Sequence, residues 1–152
     1  DNFAIGGGCL YLLTMDYSVA AKDAYMTLPA RKEGIIPGAA NMRLPRFVGD
    51  RLARQAIFSE LRIECDSDVG RMICDEICEP QAVEEAVTAV ADKLANSGQV
   101  SAASNRRCFR IAQEPFDLFR SFMAIYSLDQ AKCHFSDALI RNLESFWGAA
   151  KR

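Results

Sequence analysis

Apolar residues fall along this chain in two rhythms, and the change between them divides it near Pro80. Before that point apolar runs are short and interrupted by turn residues; after it they recur every three to four positions. The first part opens on Phe3-Ala4-Ile5-Gly6-Gly7-Gly8-Cys9-Leu10, an apolar run ending in three glycines. That pattern predicts a buried strand turning sharply into a helix that runs through Leu13. Short strands are expected over 17–21 and 25–28. Pro37-Gly38 halts extended structure and opens a helix over 41–48, which Pro45 is expected to break or kink. A second helix over 50–59 sets Leu52, Ala53, Ala56 and Ile57 on one face and Arg51, Arg54 and Gln55 on the other. Residues 61–65 read as a strand or extended link, Asp66-Ser67-Asp68 as the cap of a short segment over 69–73, and 75–79 as a further strand.

Beyond Pro80 the helical rhythm is unbroken. Residues 81–96 carry Val83, Ala86, Val87, Val90, Ala91 and Leu94 on one stripe, closed by Ser97-Gly98. A helix over 102–113 follows. Pro115, with Glu114 and Asp117 beside it, opens a long helical region through Phe119, Phe122, Met123 and Tyr126 to Trp147. The expected fold class is α/β, with a mixed unit over 1–80 and an all-helical region over 81–152. Two or three short strands are too few for a stable sheet. The chain is therefore expected to be the C-terminal part of a larger fold, its first half supplied by a preceding segment or a partner chain.

Composition narrows the possible partners. The 152 residues, half of them hydrophobic, suffice for one domain with a core. A formal charge of -2 gives no overall basic field, which argues against nucleic acid and makes any anion site local. No run approaches a membrane span and Asp1 does not resemble the start of a signal peptide, so a cytoplasmic protein with no membrane partner is expected. The six cysteines are scattered through helical and strand-like patterns, so no disulfide framework is expected. Cys74 and Cys78 lie far from His134, the single histidine, and no metal site is expected. His134 itself, in a helical stretch, reads as an ordinary hydrogen-bonded histidine and not as a catalytic base.

The glycine turn carries the candidate chemistry. The first turn of a helix has N–H donors without internal acceptors, and these can stabilise a developing oxyanion. Gly7 is the best candidate, because no Cβ would obstruct an approaching carbonyl. Glycine triplets also build ordinary turns and phosphate loops. The dinucleotide alternative lacks the Gly-x-Gly-x-x-Gly spacing, and Asp16 follows too closely to serve as the ribose acid.

A second motif, Leu28-Pro29-Ala30-Arg31-Lys32-Glu33-Gly34-Ile35-Ile36-Pro37-Gly38, follows about twenty residues later. With Ile5-Gly6-Gly7-Gly8-Cys9, Asp16, Arg43-Leu44-Pro45-Arg46 and Val48-Gly49, it resembles the crotonase (enoyl-CoA hydratase/isomerase) superfamily. The second motif, Arg51-Leu52-Ala53-Arg54-Gln55-Ala56, Asn105-Arg106-Arg107, Ala112-Gln113-Glu114-Pro115 and Gln130-Ala131 are similar to the cofactor-free dioxygenases of (3,5-dihydroxyphenyl)acetyl-CoA. The resemblance covers nearly the whole chain but only the second half of such an enzyme.

It implies the C-terminal half of a crotonase-like fold, followed by helices that drive assembly and cover coenzyme A. It further implies an acyl-CoA substrate, molecular oxygen as co-substrate, no cofactor, and a trimer or hexamer. The Gly7 N–H becomes one oxyanion donor, the second lying before Asp1, while Gly8, Cys9 and Leu10 line the substrate turn. Ile35 falls on the oxygen-pocket wall, or is a core isoleucine. Arg31 and Lys32 meet coenzyme A phosphates, or are solvated loop charges; Arg106, Arg107 and Arg110 share that alternative. The superfamily's hydratases carry acids where this chain has Leu10 and Ala30, so hydration is not expected. The dioxygenases carry glutamine at the first position. A different acyl-CoA hydrolase or isomerase, or a non-catalytic half-enzyme for assembly, are the alternatives.

Overall fold

The computed structural model describes residues 2–96 and 98–150. Five short strands form two small sheets, and successive strands move between them. In the first sheet, β1 (Phe3–Ile5) pairs in parallel with β3 (Tyr25–Thr27), which pairs antiparallel with β4 (Ile63–Glu64). In the second, β2 (Val19–Ala21) pairs in parallel with β5 (Glu76–Cys78). Parallel neighbours need crossover connections, and the helix α1 (Gly7–Leu12) begins the one between β1 and β3. Phe3 and Ile5 are exposed on the edge strand β1, so the expected burial of that strand does not hold within this chain. One face of β1 has no neighbour here to cover it.

The second motif folds into a four-residue helix, α2 (Ala30–Glu33), closed by Gly34 in the left-handed region at φ 82°. A longer helix, α3 (Ala40–Phe58), then crosses the core with Leu44, Val48, Ala53, Ala56 and Ile57 buried. Its face division and its break at Gly49, between the helices expected over 41–48 and 50–59, match the pattern read from the sequence, but the further break expected at Pro45 does not occur. Pro45 lies inside the helix, while Gly49 leaves helical geometry at φ 76°, ψ 160°, a conformation that glycine alone adopts without strain. The proline removes one hydrogen bond; the glycine redirects the chain. Around residues 66–73 the expected cap is Ser67, whose Oγ accepts the Gly70 N–H at 3.0 Å ahead of a 3-10 turn at Gly70–Met72.

The second sheet is fastened by Ser18, the buried polar residue of the core. Its hydroxyl donates to the Ile73 carbonyl at 2.9 Å, and its N–H donates to Asp75 Oδ2 at 2.8 Å. These bonds satisfy groups that burial would otherwise penalise.

Among the described residues, the buried hydrophobic core lies wholly between Cys9 and Cys74. The helices α4 (Val83–Ala95), α5 (Gln99–Gln113), α6 (Phe116–His134) and α7 (Asp137–Ala150) surround it without adding to it. On α4, Val83 packs against the core, but Val87 and Leu94 of the same stripe are exposed. Ser97, expected to help close that helix, lies outside the described residues. The helical region expected over 115–147 is built as two helices, the second opened by Ser136, whose Oγ accepts the Leu139 N–H at 3.3 Å. Phe116, Phe135 and Phe146 are more than two-thirds exposed, and Phe122 stacks on Tyr126 with centroids 6.2 Å apart. No helix among the described residues is long and apolar enough to cross a membrane.

Candidate functional site

The site grows from the parallel pairing of β1 and β3. Ile5 stands opposite Thr27, so both strands end at the same edge and the two motifs leave side by side. Ligand sites in parallel sheets form at such carboxyl ends. Gly6 makes the turn in one residue at φ 52°, ψ −112°, with its N–H donated to Thr27 O at 3.0 Å. Leu10 N–H returns to Gly6 O at 3.2 Å. Between them, the N–H groups of Gly7, Gly8 and Cys9 have no backbone acceptor among the described residues. A Cβ on Gly7 would meet nothing within 4 Å, so there is free space beside its Cα.

The side chains of this turn diverge. Cys9 points into the core at 2 % exposed, and burial pushes its thiol up to about 11, so it is a neutral packing group at physiological pH. Its N–H, not its thiol, is the polar group of Cys9 left without a backbone acceptor among the described residues. Leu10 instead spans to the second motif: a Cβ on Gly38 would lie 3.0 Å from Leu10 Cδ1. Gly38 sits at φ 50° and donates its N–H to Ile36 O at 2.8 Å. The two motifs therefore touch through Leu10 and Gly38. Ala30, the position of the second hydratase acid in the resemblance, is buried.

Ile35 and Arg31 are brought together, but in a neighbouring cavity. That cavity, about 490 Å³, is lined by Arg31, Gly34, Ile35, Ile36, Pro37, Asn41, Ile57, Phe58, Cys133 and Ser136. Arg31 donates to the Phe58 carbonyl at 2.6 Å, which engages its guanidinium at the end of α3. Lys32 is mostly exposed and stands 4.0 Å from Glu60. A predominantly apolar lining beside one cation suits a nonpolar molecule more than an anion.

Arg106 and Arg110 lie elsewhere, in a cleft of about 250 Å³ beside Leu13–Asp16 at the far end of α1 from Gly7. Arg106 pairs with Asp16 at 2.5 Å. In the same cleft Glu114 receives Arg43 at 2.7 and 2.9 Å and Arg46 at 2.8 Å. The hydrogen bonds from Arg43, with those from Arg46, hold the Glu114 carboxyl down to about 2. Most of the cationic charge near this cleft is thus spent on internal pairs. Arg107 does not line it.

Two residues that pack against these motifs are not assigned to the site by the sequence. Gly38 reads there as a helix opener, and its contact with Leu10 joins positions 28 residues apart. Gln130 accepts the Ile36 N–H at 2.8 Å across 94 residues. No local pattern signals either contact. All six cysteines are free thiols. Cys65 and Cys74 are both buried, and their interaction raises Cys74 and lowers Cys65. Among the described residues no group of three or more His, Cys, Asp or Glu side chains converges.

Strands alternating between two small sheets, helices springing from the glycine turns, and a helical C-terminal region define a crotonase-like fold. The chain belongs to the enoyl-CoA hydratase/isomerase family, whose profile matches residues 2–122. It is 49 % identical over 131 residues to the (3,5-dihydroxyphenyl)acetyl-CoA 1,2-dioxygenase of Amycolatopsis orientalis, covering 86 % of this chain and 30 % of that one. Identity to the crotonyl-CoA hydratase of Syntrophomonas wolfei is 29 % over 102 residues, covering 66 % of this chain and 39 % of that one. Among solved structures, an enoyl-CoA hydratase/isomerase from Pseudoalteromonas atlantica superposes with a TM-score of 0.83 at 19 % identity, covering 97 % of this chain and 59 % of the other. A carnitinyl-CoA dehydratase from Mycobacterium avium gives 0.78 at 20 % identity, covering 95 % and 57 %. The chain spans about a third of the length of the curated relatives it matches.

Proposed function

We propose that the protein acts on an acyl-CoA thioester and stabilises the derived enolate at the Gly6–Cys9 turn, with the Gly7 N–H as one donor. The observation that carries this reading is the row of three N–H groups without backbone acceptors at the end of a parallel strand pair, with free space beside the Cα of Gly7. Preorganised donors aimed at developing charge lower the barrier to forming an enolate. The second donor comes from outside residues 1–152. The helices over 81–152 serve assembly and cover the coenzyme A moiety.

Within that class the reading is a cofactor-independent dioxygenase of an arylacetyl-CoA. Loss of an α-proton gives the enolate, and its electron-rich carbon reduces oxygen to form an α-peroxide. The distal peroxide oxygen attacks the thioester carbonyl and coenzyme A leaves. Loss of the remaining α-proton with cleavage of the O–O bond then yields the arylglyoxylate, the thiolate of coenzyme A taking up a proton, so one oxygen molecule converts the arylacetyl thioester to arylglyoxylate and free coenzyme A with no external reductant. Identity to the dioxygenase relative and the apolar Leu10 and Ala30 at the hydratase acid positions support it. Ile35 contributes to the apolar wall for oxygen, Gly8 and Cys9 shape the turn, and Arg31 stands at the cavity that Ile35 lines.

A second reading, another acyl-CoA hydrolase or isomerase of this fold, is favoured by the family profile and by Leu10 where the dioxygenases carry glutamine. Incubating the protein with an arylacetyl-CoA under isotopically labelled oxygen separates them. Label in the arylglyoxylate supports oxygenation. Coenzyme A release without label assigns a hydrolase, and double-bond migration in an enoyl-CoA without oxygen uptake assigns an isomerase.

A further inference from the structure

The segment carrying the second motif is gripped from outside by the last two helices. Gln130 on α6 accepts the Ile36 N–H through Oε1 at 2.8 Å. Asn142 on α7 donates to the Lys32 carbonyl at 2.7 Å. The backbone of Leu139 approaches Gly34 so closely that a Cβ there would lie 3.1 Å from Leu139 N. Glycine is required at that point both by this contact and by its φ of 82°.

The Gln130 contact reaches furthest. Ile35 N–H is donated to Ala30 O and Gly38 N–H to Ile36 O, so the loop has its own acceptors for these two but relies on Gln130 for Ile36. Because Ile36 N–H can only donate, the Gln130 oxygen faces it and the amide NH2 faces away. That NH2 meets His134 Nε2 at 3.0 Å, one helical turn along α6. Nε2 must accept, which places the ring proton on Nδ1. His134 thereby gives the amide that holds the loop a second contact. From Ile36 the contacts continue: its carbonyl takes the Gly38 N–H, Gly38 abuts Leu10, and Leu10 N–H returns to Gly6.

We propose that Gln130 is a positioning residue for the acyl-CoA site, setting through Ile36 and Gly38 where Leu10 and the glycine turn stand. The site itself rests on the function proposed above. The contacts run without a gap from Gln130 to the glycine turn, which is the physical path such coupling requires.

The test compares Gln130→Leu, which removes the acceptor, with Gln130→Glu, which keeps it. Amide hydrogen exchange and amide NMR resonances are followed together with arylacetyl-CoA kinetics. In Gln130→Leu the Ile36 amide should exchange at least about tenfold faster. The Leu10 and Gly7 resonances should move, and kcat should fall about tenfold with KM little changed. Gln130→Glu should restore all three. Faster exchange at Ile36 with unmoved Leu10 and Gly7 resonances would overturn the proposal, leaving a purely structural clasp. Unchanged exchange at Ile36 would overturn it at the first contact. If the unaltered protein turns over no acyl-CoA, the functional reading fails on its own, and the resonances still decide whether Gln130 positions the turn.

Discussion

Leu10 closes directly on Gly38: a methyl group added to that glycine would stand 3.0 Å from Leu10 Cδ1. The apolar side chain at the first hydratase acid position is thus a packing element between the two motifs. Gly38 also holds φ 50°, which an L-residue adopts only with strain. Gly38→Ala should lower stability by about 1–3 kcal/mol in urea unfolding. Adding Leu10→Ala removes the steric part and leaves the backbone part, so the double variant should lose less than the sum of the singles. Strict additivity would show that Leu10 does not press on Gly38.

Gly7 is the first residue of α1, where proline fits helical geometry and its missing N–H breaks no internal bond. Gly7→Pro therefore deletes one donor with little change in fold, and Gly7→Ala, which adds a Cβ but keeps the N–H, separates loss of the donor from loss of space. In Gly7→Pro turnover should fall on the order of 100- to 1000-fold with the circular dichroism spectrum retained. Unaltered turnover would remove Gly7 from the oxyanion site.

Much of the architecture is legible in the sequence, because short apolar runs and glycine or proline punctuation report local backbone needs. The glycine turn, both small sheets' strands and the two-sided second half of α3 follow from such signals. Failures have a common cause in competition between neighbouring signals. The boundary at Gly49 follows from glycine punctuation, but the further kink expected at Pro45 rests only on its missing N–H, and the helix tolerates that loss. Ser136 starts its helix inside a continuous apolar rhythm that hides the start. The site was legible as two motifs but not as one place, since Leu10–Gly38 and Gln130–Ile36 depend on tertiary packing.

The competing origins of the α3 bend can be separated by two substitutions. Nothing lies within 4 Å of a Cβ on Gly49, so Gly49→Ala acts through the backbone alone and should cost about 1–3 kcal/mol. Pro45→Ala restores an N–H within the helix and should not lower stability. Thermal unfolding of both variants provides the comparison; a larger loss at Pro45 would reassign the bend.

The Glu114 carboxyl, held near 2 against an ordinary 4.5, links stability to acid. A carboxylate whose folded value is depressed stabilises the fold fully above its unfolded value. That contribution disappears as the pH falls from about 4.5 through about 2. Near neutral pH, Glu114→Gln should cost about 1–3 kcal/mol by weakening the bonds from Arg43 and Arg46. Denaturant curves of the two proteins should approach each other as the pH is lowered through that window. A constant gap would mean that the carboxyl does not titrate differently on folding.

The fastening of the second sheet has a temporal consequence. Ser18 and Asp75 are 57 residues apart, and β2 cannot pair with β5 until the intervening chain has been gathered. Hairpin-scale and helical pieces form on microsecond timescales, whereas a joint that depends on distant closure waits for them. The Ser18 bracket is therefore among the last parts of this unit to assemble, and the sheet it locks reports on whether everything between has already found its place.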